Sequence, residues 1–144
     1  MTLSSLLRIV HFIGLALAVG AATVKVVLLF ICKSNPSIVT SYLKVVKPIT
    51  KIIVFGIILL TISGISWLIT GYPFSTELII KIILVAVIWG LGPIIDNVIE
   101  PKFIKFAPKN SEPISNEFGQ IMKKYLTLEV IATTIFYVII IYWV

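Results

Sequence analysis

Two side chains able to carry charge or bind a metal, His11 and Lys25, lie within the first long apolar stretch of this chain. They are 14 residues apart, so an α-helix places them on one face, about 21 Å apart along its axis. Ionisable residues inside a membrane are costly, and they therefore mark candidate sites. Small side chains occupy the same face between them: Gly14, Ala18, Ala21 and Ala22. Small residues allow a second helix or a flat ligand to approach the backbone.

His11 supports more than one interpretation. A neutral imidazole can hydrogen-bond to a neighbouring helix, or it can be an axial ligand of haem in an apolar bundle. A proton relay or another metal ion is a further alternative. Zinc and copper sites need several soft or imidazole ligands, and the chain has one histidine and one cysteine, Cys32. We take His11, with Gly14 and Ala18 beside it, as the candidate metal and cofactor site.

The elements that must position these residues are four long apolar runs, near residues 3–32, 52–70, 78–95 and 125–144. A bilayer core of about 30 Å needs about 20 mostly apolar residues per helix. The 144 residues are 59% hydrophobic and only 12% charged, too apolar for a water-soluble domain of this size. The sequence predicts an all-α fold: one transmembrane domain over 1–144, a four-helix bundle whose partner is the lipid bilayer and not nucleic acid.

Basic residues predict the orientation. Nine lysines lie in the two connections between spans one and two and between spans three and four: Lys33, Lys44, Lys47, Lys51, Lys102, Lys105, Lys109, Lys123 and Lys124. The opposite side has only Arg8. The positive-inside rule then places both connections in the cytoplasm and both termini outside, in a multi-pass protein of the cell membrane. Tyr125 falls at the inner interface, as expected for an aromatic belt.

Depth in the bilayer sorts the remaining polar residues into two layers. Lys25 lies about seven residues from the inner end of span one, and Glu129 about five residues into span four. Their depths agree within one turn, which predicts an interhelical ion pair, with Asp96 as the alternative partner of Lys25. Lys81 lies in the outer half with His11, where it can pair with Glu77 or extend its amine to the interface.

The connection at Pro101–Gln120 contains three prolines with polar residues between them. This composition predicts an irregular cytoplasmic loop.

The segment HFIGLALAVGAATVK, His11–Lys25, resembles the first helix of a superfamily of small four-helix membrane proteins. The superfamily includes the copper-resistance-D-like domain and the haem-b-associated membrane protoporphyrinogen oxidases. Gly64, Lys81 and the stretch Gly92–Pro101 resemble features of its second and third helices. The resemblance implies a haem pocket at His11, with Lys81 near a propionate. The third helix departs from the oxidase branch, because Ile82–Ile95 has no histidine.

The sequence thus favours a small integral membrane protein that binds haem b or a related tetrapyrrole through His11, with a redox or porphyrin-related role. The alternative is a copper- or ion-handling membrane protein, or a non-catalytic accessory subunit of a larger membrane complex. A homo-oligomer is compatible with either.

Overall fold

A computed structural model describes residues 2–109 and 112–142, and the part of the chain it describes contains helices and no strand. The five α-helices are α1 (Leu3–Ser34), α2 (Val39–Ile69), α3 (Thr76–Ile94), α4 (Glu100–Phe106) and α5 (Asn116–Ile141). A 3₁₀ turn, Pro36–Ile38, precedes α2, and a π-helical turn, Ile95–Ile99, joins α3 to α4. The predicted all-α class is confirmed.

Four helical stretches are long and apolar enough to cross a membrane: Leu3–Ser34, Pro36–Ile69, Thr76–Phe106 and Asn116–Ile141. Large apolar side chains remain exposed along all of them, for example Phe12, Phe55 and Ile83. A surface of this kind is stable against lipid and not against water. The described chain is therefore compatible with a multi-pass membrane protein.

The four stretches alternate in direction, which gives the bundle two ends. The end that carries the two basic connections is called the basic end below, and the end with the Gly71 turn is called the turn end. Gly71 is a glycine because the turn there requires φ +93°, a left-handed conformation that other residues rarely adopt.

The prediction of an irregular loop over Pro101–Gln120 is wrong at both of its ends. Helix α4 continues to Phe106, and α5 already begins at Asn116. Pro101 is accommodated in the first turn of α4, where a missing N–H breaks no intrahelical hydrogen bond. Ser115 caps α5 by accepting a hydrogen bond from the Phe118 N–H. Residue 144 and its neighbour Trp143, the end of the predicted fourth span, lie outside the described residues.

The small-residue face of α1 packs directly on α2. A Cβ added to Gly56 would lie 2.5 Å from the Ala18 nitrogen and 2.7 Å from the Gly14 carbonyl oxygen. Contacts that short do not occur, so only glycine at position 56 allows the two backbones to lie this close. The approach fixes the register of α1 against α2 and so positions His11 and Lys25 against α2 side chains.

A candidate charge cluster in the bundle

The Lys25 ammonium group lies among three carboxyl groups. Its Nζ is 2.6 Å from Oε1 of Glu129, 3.2 Å from Oε2 of Glu100 and 3.5 Å from Oδ1 of Asp96. Lys25 is 1% exposed, and Glu100 and Glu129 are also buried. The ion pair that depth predicted between Lys25 and Glu129 is present, and the alternative partner Asp96 joins it.

Hydroxyl groups complete the cluster. Thr50 of α2 accepts a hydrogen bond from Lys25 Nζ at 3.0 Å and donates one to Oε2 of Glu100 at 3.2 Å. The Tyr125 hydroxyl donates to the same oxygen at 3.0 Å. Because the Tyr125 proton is used there, the Tyr42 hydroxyl, 3.0 Å away, must donate to the Tyr125 oxygen. A hydrogen-bonded chain therefore runs from buried Tyr42 near the basic end to the ammonium group.

The four-residue spacing of Asp96 and Glu100 explains why two acidic residues reach Lys25 from one stretch, which includes a π-helical turn. Asp96 lies in that turn, three residues after Pro93, and Glu100 follows it by four residues at the start of α4. Residues four apart lie on the same side of a helix, so both carboxyl groups point towards α1. Turns of the π type commonly occur at functional positions.

The three carboxyl groups are not equivalent. Glu100 accepts two hydrogen bonds from hydroxyl groups. Oε1 of Glu129 is buried and lies 2.6 Å from the ammonium group, the shortest contact in the cluster. Asp96 has a side chain that is 24% exposed, against 6% for the other two. Asp96 is therefore the cluster's most accessible carboxyl group.

A cavity of about 270 Å³ adjoins the cluster. Lys25, Asp96 and Glu129 form its polar end. Its walls are mostly apolar and come from α2, α3 and α5: Ile53, Val54, Ile57, Ile88, Trp89 and Phe136. Trp89 also joins α3 to α2, since its Nε1 donates a hydrogen bond to Thr61 Oγ1 at 3.0 Å. The exposed side chains of Val54 and Trp89 place the mouth between α2 and α3.

His11 lies in the other half of the bundle. Its Nδ1 is 2.9 Å from Oγ of Ser63, and its ring centroid is 5.0 Å from that of Trp67. The Ser63 hydroxyl already donates to the carbonyl groups of Leu59 and Leu60. It can therefore only accept from His11, which assigns the proton to Nδ1 and leaves a lone pair on Nε2.

The residues around His11 fit a ligating imidazole but not the pocket expected from the sequence. Nε2 is available to a metal, and the hydrogen bond to Ser63 fixes the tautomer, as is usual for ligating histidines. Lys81 lies within electrostatic range of the ring. Gly14 and Ala18, however, are covered by α2, which leaves no space for a flat ligand against them. Among the described residues, no group of three or more His, Cys, Asp or Glu side chains could hold a metal ion.

Glu100 and Tyr125 were not recognised as site residues from the sequence. Glu100 lies beyond the predicted end of span three at residue 95, and the sequence places Tyr125 in an interfacial aromatic belt. The Tyr125 side chain is in fact fully buried. One usable signal was the four-residue spacing of Asp96 and Glu100.

The chain matches no family model, no curated protein and no solved structure.

Proposed function

We propose that the protein is an ion-handling membrane protein that binds and releases a proton at the Lys25 cluster, with Asp96 as the exchanging group. The observation that carries the proposal is the convergence of Asp96, Glu100 and Glu129 on one buried ammonium group. Buried ionisable clusters of this kind within membrane helices serve ion pathways and proton relays.

Charge balance is the physical reason. One ammonium and three ionised carboxylates would give the cluster a formal charge of −2. An uncompensated charge at membrane depth is costly, so a proton or another cation must neutralise at least part of it. The exchange is assigned to Asp96 because its side chain is the most exposed of the three. In the orientation favoured by the basic residues, proton exchange takes place on the cytoplasmic side, and a reporter fused at the C terminus would test that orientation.

Infrared difference spectra between two pH values test the proton site. In the purified full chain we expect a band of a protonated carboxyl group that changes with pH, and we expect Asp96→Asn to remove it. Glu117→Gln is the matched control, since Glu117 is an exposed acidic residue in the first turn of α5. A pH-dependent band that persists unchanged in Asp96→Asn would contradict the assignment.

A second candidate function, haem binding at His11, is favoured by one observation. The Ser63 hydrogen bond holds the imidazole in the tautomer whose Nε2 lone pair can ligate iron. In this role His11 would hold the haem iron, Ser63 would orient the imidazole, and Lys81 would supply a positive charge for an acidic group of the haem. Haem would supply one-electron chemistry when bound. Since α2 covers Gly14 and Ala18, these two residues would not contact the ring.

The absorption spectrum of the purified protein tests this candidate. Haem binding predicts a Soret band with reduced-state α and β bands, and His11→Ala should abolish them. Ser63→Ala should weaken haem affinity about 10–100-fold, because outer-shell partners of ligating histidines have effects of this size. An unchanged spectrum in His11→Ala would rule out the ligand assignment.

A further inference from the structure

We infer that the cavity between α2 and α3 binds a single-chain amphiphile with a cationic head group, in exchange for the proton on Asp96. The inference deepens the proposed function and rests on it. It names the ligand that the same cluster accepts when Asp96 is ionised.

The polar end of the cavity selects positive charge. Two carboxyl groups, those of Asp96 and Glu129, line it beside a single ammonium group. Glu129 is 4% exposed, and its Oε1 already lies 2.6 Å from Lys25 Nζ, so Asp96, whose side chain is 24% exposed, is the carboxyl group that a second cation would meet. A cationic head at this position would stand next to Asp96 and reduce the formal negative charge of the cluster. An anionic head would increase it.

The walls of the cavity also favour a cation. Trp89 and Phe136 both line it, and aromatic rings bind ammonium groups through their faces. Apart from the Asn97 amide next to Asp96, the remaining wall residues are aliphatic, so they suit the first methylene groups of a chain.

The size of the cavity sets the shape of the ligand. About 270 Å³ is slightly below the range of about 300–1,000 Å³ that is typical of sites enclosing a drug-sized ligand. The head and the start of a chain fit inside, and the rest of the chain must leave by the mouth at Val54 and Trp89. Both mouth residues are exposed on apolar helices, so the tail would lie in lipid.

The exchange step balances in charge and atoms. The O–H bond of the Asp96 carboxyl breaks, its electron pair stays on the oxygen, and the proton passes to water. The cationic head then occupies the position beside the carboxylate. The titratable groups that face this step come from α1, α2, α4 and α5: Lys25, Tyr42, Glu100, Tyr125 and Glu129.

The test is equilibrium binding of labelled decyltrimethylammonium to the full chain in lipid nanodiscs, with decyl sulfate as the anionic comparison. We expect saturable binding of the cation. Because one proton competes with it, the affinity should fall about tenfold for each unit by which the pH is lowered. Asp96→Asn should weaken binding at least tenfold, since it removes the charge. Equal binding of decyl sulfate would overturn the inference.

Two substitutions fill the cavity. Gly92→Leu adds a side chain at a lining position where a Cβ would meet no atom within 4 Å. Ala132→Leu enlarges a second lining side chain, on α5. The second variant is needed because a residue before proline is conformationally restricted. Gly90→Leu is the matched control, since Gly90 is equally open and does not line the cavity. Both filling variants should lose binding and the control should keep it. Binding retained in both would overturn the inference.

The infrared measurement separates this inference from the proposed function. A carboxyl band assigned to Asp96, together with no saturable binding, would overturn the cation site alone. No such band, together with binding that does not vary with pH, would overturn proton binding and the exchange with it.

Discussion

Lys25→Met is expected to destabilise the protein by about 3–5 kcal/mol, the range observed when one member of a buried ion pair is removed. The substitution leaves Asp96, Glu100 and Glu129 close together without the ammonium group that offsets part of their negative charge. Glu129→Gln should have a smaller effect, because Lys25 keeps Asp96 and Glu100 as partners. The measurement is the free energy of unfolding of each variant, obtained from reversible unfolding in detergent.

A double-mutant cycle isolates the contribution of the pair. Adding Glu129→Gln to Lys25→Met removes one of the stranded carboxylates, so the double variant should be more stable than the sum of the two changes implies. Coupling between contacting groups is about 0.5–3 kcal/mol. The control cycle pairs Lys25→Met with Glu117→Gln on the exposed start of α5, where we expect additivity. Additive effects in the Lys25–Glu129 cycle would contradict a direct interaction.

Depth alone predicted that Lys25 and Glu129 meet across the bundle, but not that Glu100 joins them. Lys25 and Glu129 lie on helices of opposite direction, and counting residues from the basic end gave them matching depths. This argument works because a membrane helix has a nearly fixed rise and because an unpaired charge there is costly. The number of membrane-spanning helices was predicted in a similar way, from the length of the apolar runs and the thickness of a bilayer.

Local features of the helices and the position of α2 account for the parts of the structure that the sequence did not predict. A π-helical turn changes which residues share a face, and nothing in Ile95–Ile99 distinguishes it from ordinary helix by composition. The prolines around Pro101 predicted a loop, although proline is also over-represented in the first turn of a helix. The small face of α1 allowed either a helix or a flat ligand to approach, and only the position of α2 decides between them.

Gly56→Ala is expected to destabilise the protein by about 1–3 kcal/mol, the usual range for overpacking. Its added Cβ would meet backbone atoms of Ala18 and Gly14, which cannot move aside as a flexible side chain would. The matched control is Gly64→Ala on the same helix, where a Cβ meets no atom within 4 Å. That change should be neutral or stabilising by up to about 1 kcal/mol, because alanine is the better helix former.

Two side-chain hydrogen bonds join α1 to α2, one at Lys25 and one at His11, so Gly56→Ala should affect both sites. Lys25 Nζ and Thr50 Oγ1 are 3.0 Å apart, and His11 Nδ1 and Ser63 Oγ are 2.9 Å apart. Separation of the helices by a few tenths of an ångström lengthens both bonds beyond their preferred distance. We therefore expect a shifted imidazole N–H signal in nuclear magnetic resonance spectra of Gly56→Ala, and an unshifted one in Gly64→Ala. Wild-type stability and an unshifted signal in Gly56→Ala would show that α1 and α2 are not packed backbone to backbone at this point.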